Sequence, residues 1–187
     1  MRLIAVDLEM CQPSTKIIQI GAICFQSDNG SIVEVFDQLV DPGESITQEI
    51  TDLTGIKNED VAGKPNIVEA ANNFNSLKTR LQANPIGIVW GAGRSNDVQK
   101  IYDESGVESA FRGRILDVKG VFNMLANASN AQYRQKVGLR KALELVGMEW
   151  DSQYGPQHNA VADAYNTMKL YMFLSKCLKG GVDIKLG

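Results

Sequence analysis

The run Leu3-Ile4-Ala5-Val6-Asp7-Leu8-Glu9 decides how the rest of the chain is read. Its opening apolar residues predict a short β-strand over Leu3–Val6, and two acidic residues follow at the strand's end. On an extended backbone, residues two apart project to the same face. Asp7 and Glu9 therefore point one way, and Leu8 points the other way, towards the core. Two carboxylates on one face repel unless a cation lies between them, and hard divalent ions such as Mg²⁺ suit oxygen ligands of this kind. Taken alone the pair is weak evidence. With 12 Asp and 10 Glu in the chain, chance nearly accounts for one such pattern, and a solvated strand end explains it.

Outward from this strand, Ile17-Ile18-Gln19-Ile20-Gly21-Ala22-Ile23-Cys24-Phe25 reads as a second strand and Ile32–Val40 as a third. Asp28-Asn29-Gly30 between them is a hairpin signal, so an antiparallel meander is expected. Helices come next. Ser45-Ile46-Thr47-Gln48 has a capping-box pattern with Gly55 as a stop. Asn66-Ile67-Val68-Glu69 opens a helix whose Phe74, Leu77 and Leu81 share a face, and Pro85 breaks it. Ile86–Trp90 is a short buried strand, Asn96 caps a helix with Asp97 in its first turn, and Ile115–Val118 is a fifth strand. Leu139, Ala142, Leu143 and Val146 fall at helical spacing and end at Gly147. Asn159 caps a last helix, with Ala164, Tyr165, Met168 and Met172 on one side. The polar stretch Asn127–Lys136 reads as a mobile loop. This order predicts an α/β fold, a mixed five-stranded sheet flanked by helices, in one domain over residues 1–187.

Bulk properties narrow the function. The chain has 187 residues, enough for one full core, with a net charge of −3 and a pI of about 5.2. A protein that grips long nucleic acid over its whole surface is usually basic, so the charge argues against a large duplex binder. It does not argue against an enzyme that holds a few terminal nucleotides, since bound cations supply positive charge locally. Three cysteines without a CxxC pair, Cys11, Cys24 and Cys177, argue against a disulfide framework or zinc ribbon and for a reducing, cytoplasmic setting. The apolar start is too short for a signal peptide. Lys169 and Lys176 interrupt the apolar stretch Ala164–Leu178, so no membrane span is expected.

Two further blocks carry candidate chemistry. His158-Asn159-Ala160-Val161-Ala162-Asp163 contains the one histidine of the chain. Asp163 falls in the first turns of the last helix. His158 lies just ahead of it, after Gly155-Pro156, where it can swing while the carboxylate stays fixed. An imidazole with an ordinary pKa near 6.5 accepts a proton from water at neutral pH. By itself, a surface histidine before a helix cap explains this block equally well. Asp97 has an ordinary explanation too, as a favourable charge at a helix N-terminus. The case rests on the combination: Asp-x-Glu, then Asp, then His-x4-Asp.

In these blocks the sequence resembles the DnaQ-like, or DEDDh, 3′–5′ exonucleases. Asp7-Leu8-Glu9-Met10, with Ile17-Ile18-Gln19-Ile20-Gly21-Ala22 after it, resembles the first motif of that family. Trp90-Gly91-Ala92-Gly93-Arg94-Ser95-Asn96-Asp97 resembles the second. Gly138-Leu139-Arg140-Lys141-Ala142-Leu143 followed by His158–Asp163 and Ala164-Tyr165-Asn166-Thr167 resembles the third, and Ile50–Ile56 resembles the segment after the third strand. The resemblance implies an RNase H-like fold and hydrolysis of terminal phosphodiesters of DNA or RNA to nucleoside 5′-monophosphates. It also implies two Mg²⁺ or Mn²⁺ ions held by Asp7, Glu9, Asp97 and Asp163, with His158 as general base. Leu8 and Met10 would then lie against the terminal sugar and base, and the partner would be a single-stranded or 3′-terminal nucleic acid. Cys11 departs from the family pattern, which often has Thr-Gly or Thr-Cys after the acidic pair. The glycines and Arg94 of Gly91–Ser95 have no assigned role. Asn166 and Asp117 read as structural before they read as supports of the site, and Trp90 and Trp150 as packing before base stacking.

Two rival readings remain. An RNase H-type endonuclease also uses clustered acids, but the Asp-x-Glu opening and the His158–Asp163 spacing favour the exonuclease. A catalytically inactive nucleic-acid or protein binding module is the alternative from another class; repelling carboxylates have no evident purpose there. The acidic pI favours short or single-stranded ends, or a partner protein that delivers substrate.

Overall fold

A computed structural model describes residues 1–81, 86–91, 96–110, 114–129 and 137–180. Five strands, β1 (Arg2–Met10), β2 (Ile17–Gln26), β3 (Ile32–Leu39), β4 (Ile86–Val89) and β5 (Ile115–Asp117), form one sheet in the order β3-β2-β1-β4-β5. β1 to β3 are antiparallel neighbours, and β4 and β5 run parallel to β1. The expected meander and the mixed five-stranded sheet are both present. The Asp28-Asn29-Gly30 turn closes with the Gly30 N–H donating to the Gln26 carbonyl (2.8 Å) and Gly30 at φ +76°. β1 is longer than its apolar run: it continues to Met10 because β2 pairs with it throughout, even though its last residues include two acids.

Seven helices are described: α1 (Gln48–Thr54), α2 (Asn58–Val61), α3 (Ile67–Leu81), α4 (Asp97–Ser105), α5 (Val118–Ser129), α6 (Leu139–Leu145) and α7 (Ala160–Gly180). Among the described residues, none is long and apolar enough to cross a membrane. The α1 cap is Thr47, two residues beyond the expected Ser45; its side chain accepts from the Ile50 N–H. The reciprocal capping box is found instead at α3. Asn66 Oδ1 accepts from the Val68 and Glu69 N–H groups (3.0 Å each), and Glu69 returns the bond to the Asn66 N–H (3.1 Å). Asn127–Ser129 belongs to α5 rather than to a loop, because Val118, Phe122 and Ala126 give that helix a buried stripe. Pro85, Ala92–Ser95 and residues 130–136 lie outside the described residues.

Helices cover both faces of the sheet. On one face Leu3, Ala5, Ile23 and Phe25 pack with Phe122 and with α6 and α7. On the other, Ile4, Val6, Leu8 and Ile20 pack with Phe74, Leu77 and Leu81 of α3 and with Val98 and Ile101 of α4. Strand alternation sorts β1 residues between these layers. It therefore sends Asp7 and Glu9, in step with Leu3 and Ala5, to the α7 side.

At one point this layer has no space between its elements. Gly21, the β2 partner of Asp7, lies under the first peptide of α7. A Cβ there would sit 2.2 Å from the Ala160 carbonyl carbon and 2.3 Å from the Val161 nitrogen. Backbone cannot yield as a flexible side chain does, so Gly21→Ala must push α7 off the sheet. Overpacking of this kind costs about 3 kcal/mol. The expected result is a fall of roughly 6–12 °C in Tm, read by thermal unfolding. A Tm within about 2 °C of wild type would mean that α7 is not seated on β2 as described.

Candidate active site

The site lies where β1 outruns its parallel neighbour. β4 pairs only with Leu3–Ala5, so the Asp7–Met10 end of β1 has no β4 strand beside it. Because β1 and β4 are parallel, the chain leaving β4 emerges at this same end and returns as α4. Asn96 caps α4, its side chain accepting from the Gln99 N–H (2.9 Å), and Asp97 occupies the first turn. Val98, Ile101 and Tyr102 anchor the buried face of the helix.

The third contribution is the start of α7, where each exposed N–H has a partner. The Ala160 N–H donates to Gln19 Oε1 (3.1 Å). The Val161 and Ala162 N–H groups donate to Asn159 Oδ1 (3.1 and 3.2 Å), and the Asp163 N–H to the Asn159 carbonyl (2.9 Å). Gln19 is 3% exposed, and its amide also donates to Asp37 of β3 (2.8 Å). Gln19 and Gly21 together hold the helix end against β2. Neither residue carries a charge that marks it as functional in the sequence, although a glycine inside an apolar strand is a signal of close backbone approach.

With the helix seated there, one carboxylate oxygen each from Asp7, Glu9 and Asp163 lies within 4.8 Å of the others. Asp97 is outside this tight group but close enough for its charge to act on Asp7 and Glu9. Glu9 is 8% and Asp163 9% exposed. Withdrawal from water, then the charges of Asp97, Asp163 and Glu9, push the Asp7 carboxyl well above the usual carboxylate range. Withdrawal from water, then Asp163 and Asp97, push Glu9 up to about 8. Burial raises Asp97 and Asp163 as well; for Asp163 the His158 backbone N–H, the His158 charge and the Asn159 backbone oppose the rise. Among the described residues, no lysine or arginine forms an ion pair with any of the four. An all-oxygen donor set this crowded and this free of protein cations suits a hard divalent ion.

His158 adjoins the cluster, half-buried. Its backbone N–H donates to Asp163 Oδ2 (2.8 Å), and its φ of +65° is left-handed, a conformation that costs a non-glycine residue about 1–3 kcal/mol. The expected independence of histidine and carboxylate is therefore restricted to the imidazole; the backbone is tied to Asp163. Leu8 is buried in the core on the α3 side, the face opposite to Asp7 and Glu9, and Met10 is half-buried at the rim of that same layer. Cys11 is buried with Ile18, Ile46, Ile50, Ile56 and Val61, so it belongs to packing below α1. Asp117 Oδ1 accepts from the Gly91 and Gly120 N–H groups (3.0 and 3.1 Å), joining the exit of β4 to the start of α5. Trp90 packs beside Phe122 under Lys119, and Trp150 donates to the Gly155 carbonyl (3.4 Å).

Comparison with known proteins fits this arrangement. A 62-residue stretch is 34% identical to DNA polymerase III PolC-type of Halalkalibacterium halodurans, and a 61-residue stretch is 42% identical to that of Streptococcus mutans. Each covers 33% of this chain and 4% of the relative, so the chain spans a small part of those proteins. The chain is also similar to the solved nuclease domain of 3′hExo, a DEDDh family member, bound to rAMP. The TM-score is 0.72 at 16% identity, covering 100% of this chain and 96% of the other. Cell-death related nuclease 4 gives a TM-score of 0.77 at 15% identity over 99% of this chain and 66% of that one. The fold is thus the RNase H-like fold of the DEDDh exonucleases. The exonuclease family model, RNase_T, matches residues 4–171, which contain every residue of the acidic cluster together with His158, and the chain belongs to that family.

Proposed function

We propose that this chain is a metal-dependent 3′–5′ exonuclease domain spanning residues 1–187. It hydrolyses the terminal phosphodiester of DNA or RNA and releases a nucleoside 5′-monophosphate. The observation that carries the reading is the convergence of Asp7, Glu9 and Asp163 from β1 and α7, within reach of the Asp97 charge.

Asp7, Glu9, Asp97 and Asp163 are the residues to hold two Mg²⁺ or Mn²⁺ ions. Such ions activate the attacking water and stabilise charge on the attacking and leaving oxygens. His158 is the general base, taking the proton of that water on an imidazole nitrogen. Its backbone, left-handed and bonded to Asp163, supports this role by keeping the residue next to one of the carboxylates. Leu8 and Met10, which flank Glu9 at the end of β1, are the residues against which the terminal sugar and base would rest. Single-stranded or 3′-terminal nucleic acid is the substrate that a chain of net charge −3 holds most readily, since it requires few phosphate contacts. A stem-loop RNA and an oligonucleotide occur with structurally similar exonucleases. The three free cysteines fit a reducing cytoplasmic location.

The direct test uses 5′-labelled single-stranded DNA, RNA and duplex with Mn²⁺. A ladder shortening from the 3′ end, with mononucleotide product, is expected; internal fragments would indicate an endonuclease, and no hydrolysis at all a binding module. His158→Ala should lower kcat by about 10²–10⁴-fold while the Tm increase on adding Mn²⁺ survives. Wild-type turnover in that variant would refute the base assignment.

The carboxylates also predict how stability depends on pH without metal. Their folded-state pKa values lie above the unfolded ones, so the folded chain binds these protons more tightly. The stabilisation is complete below the unfolded carboxylate pKa of about 4. It is lost as pH rises through the folded values, up to about 8 for Glu9. In chelator, Tm should therefore fall between about pH 5 and pH 8, and the stabilisation by added Mg²⁺ should be largest at the alkaline end. Glu9→Gln should raise the metal-free Tm at pH 8 and weaken the Mg²⁺ response. A metal-free Tm that rises over this interval would contradict the clustering.

A further inference from the structure

We infer that Asn166 is a positioning residue for His158, holding the far end of the segment that carries it. The inference rests on the general-base reading of His158 given above.

Asn166 is fully buried on α7, three residues after Asp163. Its side chain grips one residue of another segment from both sides. Asn166 Oδ1 accepts from the Asp151 N–H (3.0 Å), and Asn166 Nδ2 donates to the Asp151 carbonyl (2.9 Å) and to the Ala162 carbonyl of its own helix (2.9 Å). Residues three apart on a helix are surface neighbours. One of these neighbours, Asp163, holds the His158 N–H, and the other, Asn166, holds both backbone polar groups of Asp151. The stretch from Asp151 to His158 is therefore fastened at each end to adjacent positions of one rigid helix.

Between those ends the stretch is folded on itself. The Gln153 N–H donates to Asp151 Oδ1 (3.0 Å), the Gly155 N–H to the Ser152 carbonyl (3.0 Å), and Trp150 Nε1 to the Gly155 carbonyl (3.4 Å). These bonds make Trp150–Gly155 one folded unit, so a shift at Asp151 moves Gly155, three residues before His158, with it. The other ties on Asp151 are the Lys169 ion pair (2.7 Å) and the Tyr165 hydroxyl (3.4 Å). They involve side chains partly open to water, where such pairs are worth little. The Asn166 amide is itself fully buried, where an unpaired polar group is costly, so it holds the backbone of Asp151 more firmly than those side-chain ties do. The acidic cluster does not depend on them: Gln19, Gly21 and Asn159 hold the start of α7, and β1 holds the other two acids.

The test is Asn166→Ser. A serine hydroxyl can back-bond to the Ala162 carbonyl, so the helix keeps its own bond while both bonds to Asp151 are lost. Displacement of His158 by about 1 Å is enough for a kcat decrease on the order of 100-fold. KM and the Mn²⁺-induced Tm shift should stay at wild-type values. Wild-type kcat in Asn166→Ser, with His158→Ala inactive, overturns the inference and leaves the base reading standing. Wild-type kcat in His158→Ala overturns the base reading and the inference with it. Loss of the Mn²⁺-induced shift in Asn166→Ser also overturns the inference, since the side chain would then be supporting the metal site itself. Should the variant not fold, amide exchange in the wild-type protein decides the matter. The Asp151 amide must be strongly protected, and exchange as fast as at an open loop amide contradicts the clamp.

Discussion

Between Gly21 and the first peptide of α7 there is no room for a methyl group, and the site depends on that contact. β1 and β2 are joined by their ladder, with Gly21 opposite Asp7. Whatever rests on Gly21 is thereby set at a fixed height above the acidic end of β1. A side chain at this position would lift α7 and carry Asp163 away from Asp7 and Glu9. Gln19 completes the seating by supplying an acceptor for the Ala160 N–H. One glycine and one buried amide, neither of them charged, bring a carboxylate of α7 to two carboxylates that precede it by more than 150 residues.

Holding the acids together is unfavourable in the absence of a cation. Each is withdrawn from water, each faces others of like charge, and no lysine or arginine among the described residues neutralises them. The fold supplies the opposing free energy through its two apolar layers, in which Phe25, Phe74 and Phe122 are fully buried, each contributing about 2–3 kcal/mol. Stored repulsion of this kind is what a divalent ion relieves, and it is a physical reason to read the cluster as a binding site rather than as a solvated surface.

Topology explains why the acids meet at one end of the sheet. β4 runs parallel to β1 but pairs with it only as far as Ala5, so the space beside Asp7 is left to the N-terminus of α4 and to Asp97. Side chains at the C-terminal ends of parallel neighbours share an edge of the sheet, where α/β folds commonly place their ligands. α7, crossing the same face, adds Asp163 and controls His158 through Asp163 and, by the inference above, through Asn166.

Much of this was legible in the sequence, and the exceptions are informative. The strands, the hairpin at Asp28-Asn29-Gly30 and the caps at Asn96 and Asn159 depend on local propensity and on bonds within a few residues, which a linear pattern records. The cap of α1 fell at Thr47 rather than Ser45, since neighbouring hydroxyl residues compete for the same role and the surrounding packing decides between them. α5 is not evident from the sequence because its burial pattern, Val118, Phe122 and Ala126, is diluted by Gly120, Asn123 and Asn127. The sequence by itself determined which residues were chemically able to form the site: its acids, its one histidine and the alternation that turns Asp7 and Glu9 to the same side. Only the tertiary structure decided that they meet, that Asp97 stands slightly apart, and that Gln19 and Gly21 set the spacing. The physical reason is that close approach of distant backbones and burial of like charges are properties of packed surfaces, and periodicity along a chain does not encode the distance between them.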